Sequence, residues 1–404
     1  MMMTLFCVRT ARAQTAAVPP VTTGFDNGFF IQSANGDNRL VFGLIVQTDG
    51  RFSVDDPQPI IDTFLIRKAR PTLTGRVARY FEFKLMPDFG NGVTVVQDAY
   101  VDTRFSTSNG FRLRVGKDKT PVGYELLIGD ANLFFPERAL ASSLVPNRDV
   151  GVQGIGELAG GKVTYSGGVF NGVSDGTSST LDADTNSDKD VAGRIVLQPW
   201  RSTAAPGPAL GGLGFHVGGS IGDQTGALPV FRTSVGQTYF AYATGVTAGG
   251  RRTRVTPAVF YFYKPFGAFA EYMLSTQDVA RAGVTHELAN HAMDVTVALN
   301  LTGEPATAGT TRPKAPFDPS AGHWGAAQVV ARYSHLEIDG ETFVAGLAAA
   351  GASGRADQWT VGFNWFPTSF TKWYVNYERI TFDKHVAGSR PIENVIVFRG
   401  QLAF

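Results

Sequence analysis

Arg112-Leu113-Arg114 sets two guanidiniums two residues apart, a spacing that turns both to one face of an extended chain. The same alternation puts Lys84, Arg104, Arg194, Arg332 and Arg399 opposite apolar neighbours, and Asp49, Glu82, Asp98, Asp102, Asp190 and Glu378 with them. Arg67, Lys68 and Arg70 form a dense cationic stretch, although Pro71 blurs which of them share a face. Lys117 and Lys119 begin, and Arg138 and Arg148 end, a long segment without strand periodicity. In a narrow wet passage, rings of cations lower the cost of stripping water from an anion, whereas carboxylates favour cations. The same charges can instead neutralise one another, and Glu82 with Lys84, or Asp102 with Arg104, is a candidate pair.

Other motifs carry less. Gly156 to Lys162 fits a phosphate-loop spacing, but Val163 stands where Ser or Thr is needed, and a strand follows where a helix is required. Gly154, Gly156 and Ala159 imitate a dinucleotide fingerprint and fail on the same ground. His286-Glu287-Leu288-Ala289-Asn290-His291 is one residue out of register for a helical zinc motif, and its context is a strand. His216, His323, His335 and His385 are scattered, so no catalytic grouping, metal site or cofactor is expected.

The elements that must position the charges are strands. Mean hydropathy is −0.03, and no stretch of 18 apolar residues offers a membrane helix. Alternating strands can nevertheless cross a bilayer, because their oily and wet faces cancel in the average. Roughly 16 such segments are read, at 38–54, 62–78, 80–88, 94–106, 110–117, 148–158, 161–171, 188–199, 212–223, 250–262, 267–277, 286–302, 323–338, 356–366, 371–382 and 393–404. The long connections 55–61, 118–147, 172–187, 224–249 and 339–355 fall on one end, and mostly short ones on the other. Segments 200–211 and 303–322 are exceptions. Trp200, Tyr263, Phe266, Trp324, Trp365, Phe366 and Trp373 lie near strand ends, where interface girdles form. Glycines in Val169–Gly172 and Gly211–Gly222 read chiefly as curvature and tight turns, with close approach of a loop as the other use. The expectation is an all-β, transmembrane antiparallel barrel enclosing water. A soluble sandwich would have to bury every apolar face between two sheets.

Residues 1–13 read as a short signal peptide, cleaved after Ala11-Arg12-Ala13, leaving 14–404 as one barrel domain. Formal charge is +1 and falls to −1 without Arg9 and Arg12, so a nucleic-acid partner is not expected. The single cysteine, Cys7, lies in the leader.

From Gly28 to Phe404 the chain resembles the phosphate-selective porin O and P family of Gram-negative outer membranes. The resemblance rests on the order and spacing of FFIQSANGDNRLVFGLIVQTDGRF, FLIRKARPTLTGRVARYFEFKLMPDFG, QDAYVD, LRVGKDKTPVGYE, FFPERAL and NRDVGVQ. FYKPFGAFAEYMLSTQDV, LTGE, WGAAQVVARYSHLEI, NWFP and VFRGQLAF continue it. It implies a trimeric barrel of about 16 strands, with a third extracellular loop, here 118–147, folded into the pore. It also implies passage of small phosphate-like anions past Arg and Lys. The candidates are Arg67, Lys68, Arg70, Lys84, Arg104, Arg112, Arg114, Lys117, Lys119, Arg138 and Arg148. Outer-membrane lipid, lipopolysaccharide and the insertion machinery, reading the terminal Phe404, are the implied partners.

Overall fold

The computed structural model describes residues 21–54, 60–105, 110–179, 186–202, 207–383 and 390–404. The expected leader, Cys7 and His385 lie outside them. A hairpin of β1 (Val21–Phe25) and β2 (Phe29–Ser33) precedes the wall, which starts with β3 (Arg39–Ser53), β4 (Thr63–Val77), β5 (Phe81–Asp88) and β6 (Val95–Arg104). It continues through β7 (Arg112–Lys119), β8 (Arg148–Leu158), β9 (Val163–Phe170), β10 (Asp190–Leu197) and β11 (Leu213–Gly226). A small separate pair, β12 (Phe231–Arg232) and β13 (Thr238–Phe240), interrupts the next connection. The wall resumes with β14 (Val246–Tyr263), β15 (Phe266–Arg281), β16 (Val284–Asn300), β17 (Ala326–Glu337), β18 (Arg355–Phe366), β19 (Thr371–Phe382) and β20 (Glu393–Ala403). Each wall strand pairs antiparallel with its neighbour in sequence, and β20 returns to β3 from Val395↔Ser53 to Ala403↔Ile45. The result is a closed barrel of 16 strands.

Closure leaves each strand with an oily outside and a polar inside. In β16, Met293, Val295, Val297 and Leu299 are exposed, while Ala292, Asp294, Thr296 and Ala298 are buried. In β20, Phe398 and Leu402 point out and Arg399 and Gln401 point in. The strands therefore lie where alternation placed them, with two differences. β14 starts and β15 ends about four residues beyond the expected limits: burial still alternates at the tips, with Val246, Ala248 and Val279 buried and Thr247 exposed, although the β14–β15 ladder slips register between Ala248 and Arg252. The hairpins β1–β2 and β12–β13 are additions, too short for a periodic signal. Among the expected girdle residues, Trp200, Phe266, Trp324 and Trp373 are exposed. Phe366 instead faces inward, 2% exposed, with the Lys372 ammonium 4.8 Å over its ring.

The apolar core of this barrel lies inside its lumen. Val122, Leu126, Leu140, Ala141, Leu144 and Val145 of the β7–β8 connection pack on Phe170, Ala192, Met273, Ala292, Leu336 and Ala356 of the inner wall. Tyr124, Leu133, Phe134 and Phe135 pack on Ala258, Phe260, Phe269, Ala298 and Val330. Tyr124 stacks on Phe260 with centroids 5.0 Å apart. The connection thus fills the half of the lumen walled by β9–β18. Burial of this apolar surface, at roughly 25 cal/mol per Å², holds it there, beside buried ion pairs such as Arg254 with Asp175 and Asp190; a second concentration of charge lies beside β3–β8.

Candidate functional site

The charges beside β3–β8 are arranged by register. Directly opposed side chains on neighbouring strands sit closer than residues two apart on one strand. Asp102 stands so opposite Arg114, whereas Glu82 reaches Arg104 at 3.0 Å and Lys84 reaches Asp98 at 2.7 Å diagonally across the β5–β6 ladder, their direct opposites being Asp102 and Tyr100. Asp102 takes Arg112 at 3.0 Å and Arg114 in a two-pronged contact at 2.7 and 2.8 Å. The within-strand pairs Glu82/Lys84 and Asp102/Arg104 are replaced by these cross-strand ones. Arg114 also meets Asp118 and lies 3.6 Å over the Tyr100 ring. Arg39, Arg76, Arg104, Arg112 and Arg114, with Glu82 and Asp102, line a cavity of about 440 Å³.

Two carboxylates of the inward connection organise the rest. Asp130 meets Arg70, Arg138 at 2.7 Å, Arg148 at 3.4 Å and Lys68 at 3.5 Å. Glu137 meets Arg67 at 2.6 Å, Arg399 at 2.9 Å and Arg51 at 3.0 Å. Burial pushes both carboxyls up. For Asp130 the charges of Lys68, Lys119, Arg138 and Arg148 overcome this, and for Glu137 those of Arg67, Arg399 and Arg51, holding both well below the usual carboxylate range. Removing one member of such a buried network leaves uncompensated charge, at a cost of about 3–5 kcal/mol.

Backbone carbonyls complete the anchoring. Lys119 Nζ donates to Leu126 and Ile128 at 2.7 and 2.8 Å, and Lys372 Nζ to Leu133 at 2.8 Å. Asn364 donates to Phe134 at 2.9 Å, Gln401 to Ala131 at 2.9 Å, and Arg332 to Glu137 at 2.9 Å. Thr256 Oγ1 donates to the Val122 carbonyl at 2.8 Å, and a Cβ built on Gly218 would lie 2.0 Å from that carbonyl oxygen. At Gly218 the absent side chain admits the connection, the less favoured of the two uses read for that glycine run.

Between connection and wall lies a cavity of about 510 Å³, lined by Arg51, Arg67, Lys68, Arg70, Arg138, Arg148 and Arg232 against Asp88, Asp130 and Glu137. The candidates divide accordingly. Arg67, Lys68, Arg70, Arg138 and Arg148 meet at this cavity; Arg104, Arg112 and Arg114 line the other. Lys84 and Arg148 share Asp98, at 2.7 Å each. Lys117 donates to the Ser179 carbonyl at 2.6 Å and Lys119 braces the connection, and neither is among the residues lining these two cavities. Sequence reasoning missed Arg51, Arg232, Asp130 and Glu137. Arg51 shares its face with Asp49, which alternation could have found; the others lie in connections without periodicity.

A closed barrel whose lumen is narrowed by an inward connection and bordered by paired charges has the architecture of an outer-membrane channel. The chain belongs to the phosphate-selective porin O and P family, whose sequence profile matches residues 43–404. No curated protein matches the sequence. Among solved structures, the outer membrane channel DcaP of Acinetobacter baumannii is similar at TM-score 0.59 and 13% identity, covering 92% of this chain and 99% of that one. An anion-selective porin from Comamonas acidovorans has TM-score 0.56 and 14% identity, covering 91% and 100%. A trimer form of OmpT, an outer membrane protein of Vibrio cholerae, has TM-score 0.55 and 12% identity, covering 91% and 99%. At these identities the likeness is one of fold.

Proposed function

We propose that this protein is a trimeric porin of the Gram-negative outer membrane through which small anions, inorganic phosphate among them, diffuse down their gradient. The observation that carries the proposal is the larger cavity, where seven cationic side chains face three carboxylates. Arg67 is the contact residue of choice, since its side chain is a quarter exposed beside the cavity. Arg112 and Arg114 supply a second cationic stretch at the other cavity. Family and fold support a channel rather than an enzyme. The exposed apolar bands suit outer-membrane lipid and, at one rim, lipopolysaccharide. Phe404, paired through its backbone with Leu44 at 2.9 and 3.0 Å, is the terminal residue offered to the insertion machinery.

The pairing of Arg70, Lys84, Arg114 and Arg148 with carboxylates supports a second reading, a general porin with little charge preference. Planar-bilayer reversal potentials in a KCl gradient separate the two. Anion selectivity with partial block of chloride current by added phosphate is expected. A cation-selective potential without phosphate block would overturn the proposal.

A further inference from the structure

Three metal-ligating side chains converge on the outer face of the wall, away from the lumen. Alternation turns His291 outward with Met293 and Val295, and His335 and Glu337 outward with Tyr333. His291 and Glu337 are directly opposed in the β16–β17 ladder. Glu337 Oε2 lies 3.5 Å from His291 Nε2 and 3.4 Å from His335 Nε2, and the ligand atoms of all three lie within 4.8 Å of one another. Both separations exceed the usual hydrogen-bond length. They match the edge of a tetrahedron, about 3.4 Å, whose corners stand 2.0–2.1 Å from a central Zn²⁺.

The surroundings orient the ligands. His335 Nδ1 is 2.8 Å from Asp357 Oδ1; a carboxylate can only accept there, so Nδ1 carries the proton and Nε2 presents its lone pair toward Glu337. Asp357 is itself fixed by the Tyr333 hydroxyl at 2.6 Å and Arg355 Nε at 2.7 Å. A carboxylate behind a ligating imidazole is the usual outer support of a histidine–metal bond. His291 stacks on Tyr272 with centroids 6.4 Å apart, and a recess of about 260 Å³ opens in front of the two imidazoles.

We propose that His291, His335 and Glu337 form a binding site for a divalent transition metal of the Zn²⁺ class, with water in the remaining position. Two imidazoles and one carboxylate suit Zn²⁺, Ni²⁺ or Cu²⁺, whereas Mg²⁺ and Ca²⁺ prefer all-oxygen shells. The sequence hides the site because His291 and His335 belong to different strands, and only the β16–β17 register brings them together. His286, five residues from His291 on the same strand, belongs to the opposite face and is no part of it.

The test is titration of the detergent-folded full chain with Zn²⁺ against a chromophoric competing chelator, together with the visible d–d spectrum of the Co²⁺ complex. One equivalent should bind, and Co²⁺ should give the intense bands of a four-coordinate site. His335→Ala and Glu337→Gln should each weaken binding about tenfold or more, and Asp357→Asn by about 10–100-fold. His323→Ala, in a turn at the far end of β17, should change nothing. Folding of every variant is read from the electrophoretic shift between heated and unheated barrel. Absence of one-equivalent binding by the folded wild type overturns the site, as does unaltered affinity in the folded His291→Ala/His335→Ala double variant. The wild-type Co²⁺ spectrum decides the matter even where a variant fails to fold, since octahedral aquo-like bands alone reject it.

Discussion

Glu137→Gln removes one negative charge from the cavity while keeping an oxygen to accept bonds from Arg51, Arg67 and Arg399. A cavity of about 510 Å³ has a radius of about 5 Å, so an ion at its centre sits roughly 8 Å from that carboxylate. In water-like surroundings a unit charge at that distance contributes about 0.5 kcal/mol, screened to about 0.2 kcal/mol at 0.1 M salt. The charge acts oppositely on anions and cations, so its loss should raise the anion-to-cation permeability ratio between about twofold and sixfold. The assay is the bilayer reversal potential in a tenfold KCl gradient, with heat-shift electrophoresis confirming a folded barrel. Arg67→Gln should move the ratio the opposite way by a similar factor. Both variants shifting in one direction, or neither shifting while folded, would refute the electrostatic account.

Asp130 and Glu137 stay ionised below the usual carboxylate range, so their contribution to anchoring is full above the unfolded values near about 4 and fades only as pH falls through the lower folded ones. The anchoring that these two carboxylates supply should accordingly stay level from pH 8 to pH 5 and weaken only in stronger acid; release of residues 120–147 to protease at pH 5 in the folded barrel would contradict this. Arg114→Lys loses both the stack on Tyr100 and the planar grip on Asp102, and should cost about 1–2 kcal/mol in urea unfolding from lipid vesicles. Gly218→Val should push the Val122 carbonyl off the wall into the lumen and lower single-channel conductance, without altering the heat-shift signature; an unchanged conductance would mean the connection has slack there.

The wall was readable because each strand carries its own instruction: Phe398, Arg399, Gln401 and Leu402 declare their faces without reference to any other residue. Partnerships were not, since they depend on register. Glu82 turned to Arg104, and Lys84 to Asp98, through ladders that no single strand encodes. Asp130 and Glu137 were beyond reach for a different reason. They sit in a connection with no repeating pattern, and their meaning comes from Arg67, Arg70 and Arg399 on strands far away in sequence. Lys117 and Lys119 stand at the base of this connection, where their ammoniums hold backbone carbonyls.

The seam between β3 and β20 has a consequence for assembly. Arg399 reaches Asp49 at 2.6 Å and Gln47 meets Gln401 at 2.7 Å across the junction of the first and last wall strands, and Arg399 also reaches Glu137 of the inward connection at 2.9 Å. None of these contacts can form until the end of the chain has arrived, because each needs a residue of β20. Before that moment Glu137 lacks one of its three guanidiniums and Asp49 lacks its inter-strand partner. The charge network around Glu137 is therefore also a latch: its charges are neutralised in their final pattern by the same event that shuts the cylinder. An unzipped intermediate would lack both the closed ladder and the completed charge network.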